Sequence, residues 1–138
     1  MEAHLQILKN NKLKITPRRK AVISLFEHSG VRLGPYDVYK KLRNKLTTLG
    51  LPTVYRILEE LSKSGILIRS LSEDRQLRYM LCAHTDEHHH YFTCRKCKKV
   101  EAVGFCNFKG VSKFIENKLK AKVEAHQLQI AGLCSKCK

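Results

Sequence analysis

The sequence predicts an α+β fold in two parts, and three observations predict it. Three runs with the apolar spacing of helices come first. Two short β-like runs with a polar turn between them follow. All six cysteines and five of the seven histidines then lie at or beyond position 82. Helices followed by a hairpin is the order of a winged helix, a helix-turn-helix plus a β-hairpin wing. The metal-rich remainder reads as a small α/β domain. The expected boundaries are 1–83 and 84–138. At 138 residues and 43% hydrophobic content the chain is long and apolar enough for two small packed units.

Each element has a local reason. Thr16-Pro17 starts a helix, with Thr as N-cap and Pro at the first helical position. Ala21, Val22, Leu25 and Phe26 then share a face, and Ser29-Gly30 ends the run. A second helix fits Pro35 to about Lys45, with Val38, Tyr39 and Leu42 inward. A third fits Leu51–Ser64, where Val54, Ile57, Leu58 and Leu61 make the inward stripe and Gly65 is a natural residue past the C-terminus. Ile66–Leu71 and Gln76–Leu81 make the hairpin, turned by Ser72-Glu73-Asp74-Arg75. In the second half, Phe108–Leu119 fits a helix with Val111, Phe114, Ile115 and Leu119 on one face, and Lys122–Leu133 reads as β-rich.

Charge points to a partner. There are 27 Lys+Arg against 12 Asp+Glu, a net charge of +15. Residues 1–82 hold 16 basic and 7 acidic side chains, and residues 83–138 hold 11 and 5. A surplus of this size implies a polyanion, most often nucleic acid. The last helix of a helix-turn-helix enters the major groove. Arg56 lies opposite the apolar stripe of Leu51–Ser64, flanked by Thr53 and Tyr55, and Lys14, Arg18 and Arg19 cluster where the Thr16 helix begins. These six are the expected DNA-binding residues, Lys and Arg to phosphates and Arg56 to a base edge. No apolar run approaches the roughly 18–20 residues that cross a bilayer. Met1–Lys14 lacks the continuous apolar stretch of a secretory signal. A cytoplasmic setting with reduced thiols is expected, and no membrane partner.

Cys94-Arg-Lys-Cys97 and Cys134-Ser-Lys-Cys137 are two C-x-x-C pairs. Two thiolates on each of two tight turns satisfy tetrahedral zinc, and two pairs together favour a structural Zn2+ over redox dithiols. The 36 residues between the pairs leave room for a helix and strands. A hydrolytic zinc enzyme needs an open coordination position and a carboxylate base. Neither H-E-x-x-H nor H-x-E…P-C-x-x-C occurs, so no catalytic residue is assigned.

Over nearly its whole length the chain resembles the ferric uptake regulator superfamily. The resemblance is carried in order by Ile15-Thr16-Pro17-Arg18-Arg19, Pro52-Thr53-Val54-Tyr55-Arg56, Gly65-Ile66, the histidine cluster and both C-x-x-C pairs. It implies a winged-helix DNA-binding domain and a metal-binding dimerisation domain. It also implies a metal-dependent homodimeric transcription regulator acting as a repressor on a palindromic double-stranded operator. It places structural zinc on Cys94, Cys97, Cys134 and Cys137.

The sensed metal turns on the hinge. If residues 87–90 are extended, His88 and His90 share one face, while Glu87 and His89 share the other. Cys82 ends the wing and is expected to join His88 and His90. The spacing Cys82, His88, His90 resembles the sensor site of the zinc uptake regulator branch, and a thiolate with two imidazoles suits Zn2+. Glu87, His89 and His126 resemble an auxiliary site. The pattern also departs from both branches. Ile68 stands at a zinc-sensor ligand position. Arg32 stands where iron- and peroxide-sensing branches carry a histidine. Lys109 stands near an acidic ligand position for which Glu101 or Cys106 could substitute. Zinc control of metal uptake genes is the leading expectation. The alternatives are iron or peroxide sensing with Fe2+ or Mn2+, a regulator that has lost part of its sensing, and a zinc-bound RNA-binding protein.

Overall fold

The computed structural model describes residues 1–72, 74–82, 90–126 and 128–138. The chain forms two compact units, Met1–Thr85 and Asp86–Lys138.

Unit 1 holds four helices, α1 (Glu2–Asn10), α2 (Pro17–Ser29), α3 (Pro35–Leu42) and α4 (Leu51–Lys63), then strands β1 (Leu67–Leu71) and β2 (Leu77–Leu81). The Thr16 hydroxyl accepts the Arg19 N–H at 3.3 Å and caps α2, and Gly30 leaves it in the left-handed region at φ 60°. Gly65 does the same after α4 at φ 79°, a backbone angle that penalises any Cβ. Val54, Ile57, Leu58 and Leu61 of α4 are buried against Val22, Ile23 and Phe26 of α2 and Leu8 of α1 in one apolar cluster. Burying this set drives the unit together.

α1 is the element the sequence reading lacks, since Met1–Lys14 carries only scattered apolar residues. Tertiary burial makes the helix: Leu8 is completely enclosed, and His4 Nδ1 lies 2.8 Å from Glu27 Oε1 on α2. α3 stops at Leu42 instead of near Lys45. Within α2, Ile23 is buried while Ala21 and Leu25 are half-buried, so the inward face is rotated from the expected one.

β1 and β2 pair antiparallel from Leu67↔Leu81 to Leu71↔Leu77. Leu33 and Tyr79 exchange both backbone hydrogen bonds, at 2.9 and 2.8 Å, which adds a third edge to the wing. Arg78 also reaches Asp37 of α3 at 2.8 Å. These contacts fix the wing to the start of the helix-turn-helix.

Unit 2 holds β3 (His90–Cys94), β4 (Val100–Val103), α5 (Phe108–Leu119) and β5 (Gln129–Gly132). The sheet order is β4-β3-β5. β3 is antiparallel to β4 and parallel to β5. Among the described residues of the 122–133 stretch expected to be β-rich, four form a strand. Against the described residues, no side chain of α5 is fully buried.

Candidate metal centres and recognition surface

β3 ends at Cys94, and the chain turns at once. Lys98 N–H donates to the Cys94 carbonyl at 3.0 Å, with Lys98 at φ 64°. After β5, Cys137 N–H donates to the Cys134 carbonyl at 2.9 Å. These two turns bring the four sulfurs of Cys94, Cys97, Cys134 and Cys137 within 4.8 Å of one another. Tetrahedral zinc with bonds of about 2.3 Å sets its sulfur ligands roughly 3.8 Å apart. Cys97 Sγ and Cys134 Sγ are 3.8 Å apart, so the set fits the ion. Backbone N–H groups of Cys97 and Cys134 draw the Cys94 thiol down to about 6, while the hydrogen bond to Cys134 pushes Cys137 up to about 12. Thiols this close cannot all ionise alone, and a divalent cation supplies the charge that lets them.

A second cluster lies at the other end of β3. His90 Nε2 is 3.1 Å from Cys106 Sγ and 3.2 Å from His126 Nε2, and Cys106 Sγ is 3.4 Å from His126 Nε2. Zinc bonds of about 2.0–2.1 Å to nitrogen and 2.3 Å to sulfur place tetrahedral neighbours roughly 3.3–3.6 Å apart. Three donor atoms at nearly this spacing fit three ligands of one ion. The His126 ring is stacked on Phe108, the first residue of α5, with centroids 3.7 Å apart and planes 12° from parallel.

This arrangement regroups the expected ligands. The alternation argument gave His90 to the face of His88 with Cys82, and the resemblance gave His126 to Glu87 and His89. The structure brings His90 and His126 together with Cys106, which the sequence reading held only as a substitute. The cause is the parallel pairing of β3 with β5, which draws the residues before each strand to one edge and which no local pattern reveals. Glu101 sits on β4 opposite Phe92, exposed and ion-paired with Lys99, and belongs to neither cluster. Cys82 N–H donates to the Ile66 carbonyl at 2.9 Å and prolongs the wing. Glu87, His88 and His89 lie outside the described residues.

The outward face of α4 is polar. Tyr55 and Arg56 are exposed and Thr53 is half-buried beside them. Lys14 is exposed, whereas Arg18 donates to Thr48 Oγ1 at 2.8 Å. Arg19 is tied down further: its Nε and Nη2 reach Glu60 of α4 at 3.1 and 2.6 Å, and Nη1 donates to the Lys14 carbonyl at 2.6 Å. Its guanidinium therefore braces α2 against α4.

Known proteins match both units. The profile of the ferric uptake regulator family aligns with residues 10–131. The chain belongs to that family, whose members are metal-responsive transcriptional regulators. The ferric uptake regulation protein of Bacillus subtilis is 32% identical over 132 residues, covering 94% of this chain and 89% of its own. The structure of the Helicobacter pylori ferric uptake regulator, described as revealing three functional metal binding sites, aligns with a TM-score of 0.70 at 26% identity. That alignment covers 99% of this chain and 92% of the other. A zinc uptake regulator complexed with zinc and DNA has the same fold, with a TM-score of 0.79 at 23% identity over 98% of this chain and 92% of the other. Among the described residues, no helix is long and apolar enough to cross a membrane.

Proposed function

We propose that this family member is a cytoplasmic, homodimeric repressor that responds to zinc and binds a palindromic DNA operator through unit 1. The observation that carries the choice of metal is that both donor clusters contain thiolate. Sulfur favours zinc over iron(II) or manganese(II), which prefer nitrogen and oxygen sets. Arg32, at the position where the resemblance puts a histidine ligand of the iron and peroxide branches, is a half-buried cation and cannot donate to a metal. Iron sensing is the second reading, favoured by the name of the 32% identical B. subtilis relative.

Each side chain then has a role. Cys94, Cys97, Cys134 and Cys137 would hold structural zinc. His90, Cys106 and His126, together with hinge residues Cys82, Glu87, His88 and His89, supply the donors for regulatory metal. A bound ion supplies a crosslink between segments distant in sequence. Thr53, Tyr55 and Arg56 face the major groove, Lys14 and Arg18 reach phosphates, and Arg19 keeps the helices in register for them. Val111, Phe114 and Leu119 leave the outer side of α5 apolar, with Phe114 62% exposed, and a second copy covers such a face. Metal shifts the population toward the DNA-competent arrangement. A shift from 1% to 99% requires about 5.5 kcal/mol of differential binding.

The test is DNA binding by chain that retains its four-cysteine zinc but is stripped elsewhere, titrated with zinc, iron(II) and manganese(II). Zinc should restore binding at the lowest free concentration. Restoration by iron(II) alone would replace the zinc reading with the iron reading.

A further inference from the structure

β3 and β5 run side by side in parallel over four residue pairs, from Tyr91↔Gln129 to Cys94↔Gly132. A parallel pair has no hairpin to set its register, and here the whole stretch from Arg95 to Leu128 lies between the strands. Four rungs are a weak clamp. Metal donors, however, stand at both ends of this ladder. At one end His90 opens β3 and His126 precedes β5, their Nε2 atoms 3.2 Å apart, with Cys106 completing the set. At the other end Cys94 closes β3 and Cys134 follows β5, and the Cys134 N–H points to Cys94 Sγ at 3.4 Å.

We propose that the ion assigned above to His90, Cys106 and His126 and the four-cysteine zinc strengthen each other by clamping the same strand pair. The inference rests on the metal-binding part of the proposed function and not on its DNA-binding part.

Three features carry the coupling. First, His90 and Cys94 lie four residues apart on β3 and so share one face. A one-residue slip of β3 against β5 would turn both away together. The two centres therefore demand the same register, and whichever fills first prepares the other. Second, four residues of strand separate those two donors by about 13 Å, beyond the ~8–10 Å screening length at ordinary salt, so repulsion between the ions is weak. Third, side-chain packing on the ladder is close: a Cβ at Gly132, on the rung paired with Cys94, would lie 3.2 Å from the Phe92 ring. Register is thus read by side-chain packing as well as by the metal donors. Thermodynamic linkage makes the effect reciprocal, with each ion raising the other's affinity by the same factor.

The full-length chain carrying one zinc per protomer tests this with cobalt(II). One further equivalent should bind this cluster and give a thiolate-to-cobalt charge-transfer component that Cys106→Ser abolishes and Cys82→Ser leaves in place. Native mass spectrometry then follows slow replacement of the four-cysteine zinc by cobalt. Replacement normally quickens as free cobalt rises. In wild type it should instead slow at least tenfold as the second site saturates, whereas in Cys106→Ser and His126→Ala it should rise throughout. Such a reversal within one unaltered chain cannot come from damaged folding. Absence of the charge-transfer band overturns the site, and a rate that rises steadily in wild type overturns the coupling. A wild-type chain without any bound zinc overturns the metal reading beneath both.

Discussion

The two units are held together by different physics. Unit 1 encloses a continuous apolar core, with Leu8, Val22, Ile23, Val38, Val54, Leu58, Leu61 and Ile66 all at 0% exposure. In unit 2 the described buried side chains are His90, Tyr91 and Cys94, two of them in the candidate metal clusters, and no residue of α5 is fully buried. A segment of this size cannot remove enough apolar surface from water to offset its chain entropy. Metal crosslinks and a partner chain do that work instead. A DNA-reading unit can stay folded regardless of metal supply, while the unit that reads metal depends on metal for its own structure.

The largest effect should follow from breaking the four-cysteine centre. Cys97→Ser should lose one zinc per chain and leave unit 2 without protected amides, while unit 1 keeps its protection. Zinc affinities of such centres rival the whole stability of a typical domain. Hydrogen exchange resolved by unit checks this, with native mass spectrometry counting the metal. Uniform loss of protection across both units would mean that they fold as one cooperative body, and the comparison would fail.

Unit 1 was more legible in the sequence than unit 2, and the reason lies in how far each signal reaches. The stripe Val54-Ile57-Leu58-Leu61, the Thr16 cap and the Gly65 stop are local patterns that act within a turn or two. Helix α5 was equally visible over Phe108–Leu119. α1 was not, because its helicity depends on Leu8 finding the core. The C-x-x-C pairs could be read because two donors sit on each tight turn. The His90–Cys106–His126 grouping could not, because it depends on the long-range parallel pairing of β3 with β5. Reading residues 87–90 as an isolated extended segment put His90 with His88, while the resemblance put His126 with Glu87 and His89. Arg19 failed differently: its position beside Lys14 and Arg18 looked like a phosphate contact, and only Glu60, 41 residues further along the chain, shows what its guanidinium holds.

A core truncation tests the other side of the comparison. Leu58→Ala should cost unit 1 about 2–5 kcal/mol, the range for emptying a fully buried leucine site. Metal content and the cobalt spectrum of unit 2 should be unchanged. Denaturant melts monitored separately in the two units would detect this, and a parallel loss of bound metal would contradict the division.

Arg56→Ala addresses function within the stable unit. It should leave the melting of unit 1 unchanged and lower preference for the cognate operator by about 1–3 kcal/mol if Arg56 reads a base. Competition between cognate and random duplex at fixed salt measures that preference. Unchanged preference would remove Arg56 from the recognition surface.

The smallest effects come from a pair of neighbouring cations that the structure treats differently. Lys14 is exposed, whereas the Arg19 side chain is 15% exposed and grips Glu60 with two nitrogens. Lys14→Ala should therefore flatten the salt dependence of DNA binding by about one unit, equally for all sequences, with no change in stability. Arg19→Ala should do the reverse. It removes a charge-assisted brace between α2 and α4, costs unit 1 about 1 kcal/mol, and leaves the salt slope alone while the helices stay in place. Glu60→Gln supplies the control, since weakening the same brace from the acidic side should reproduce the stability loss. If Arg19→Ala instead flattens the salt slope as Lys14→Ala does, Arg19 turns from Glu60 to phosphate when DNA arrives, and the brace is a feature of the free protein alone.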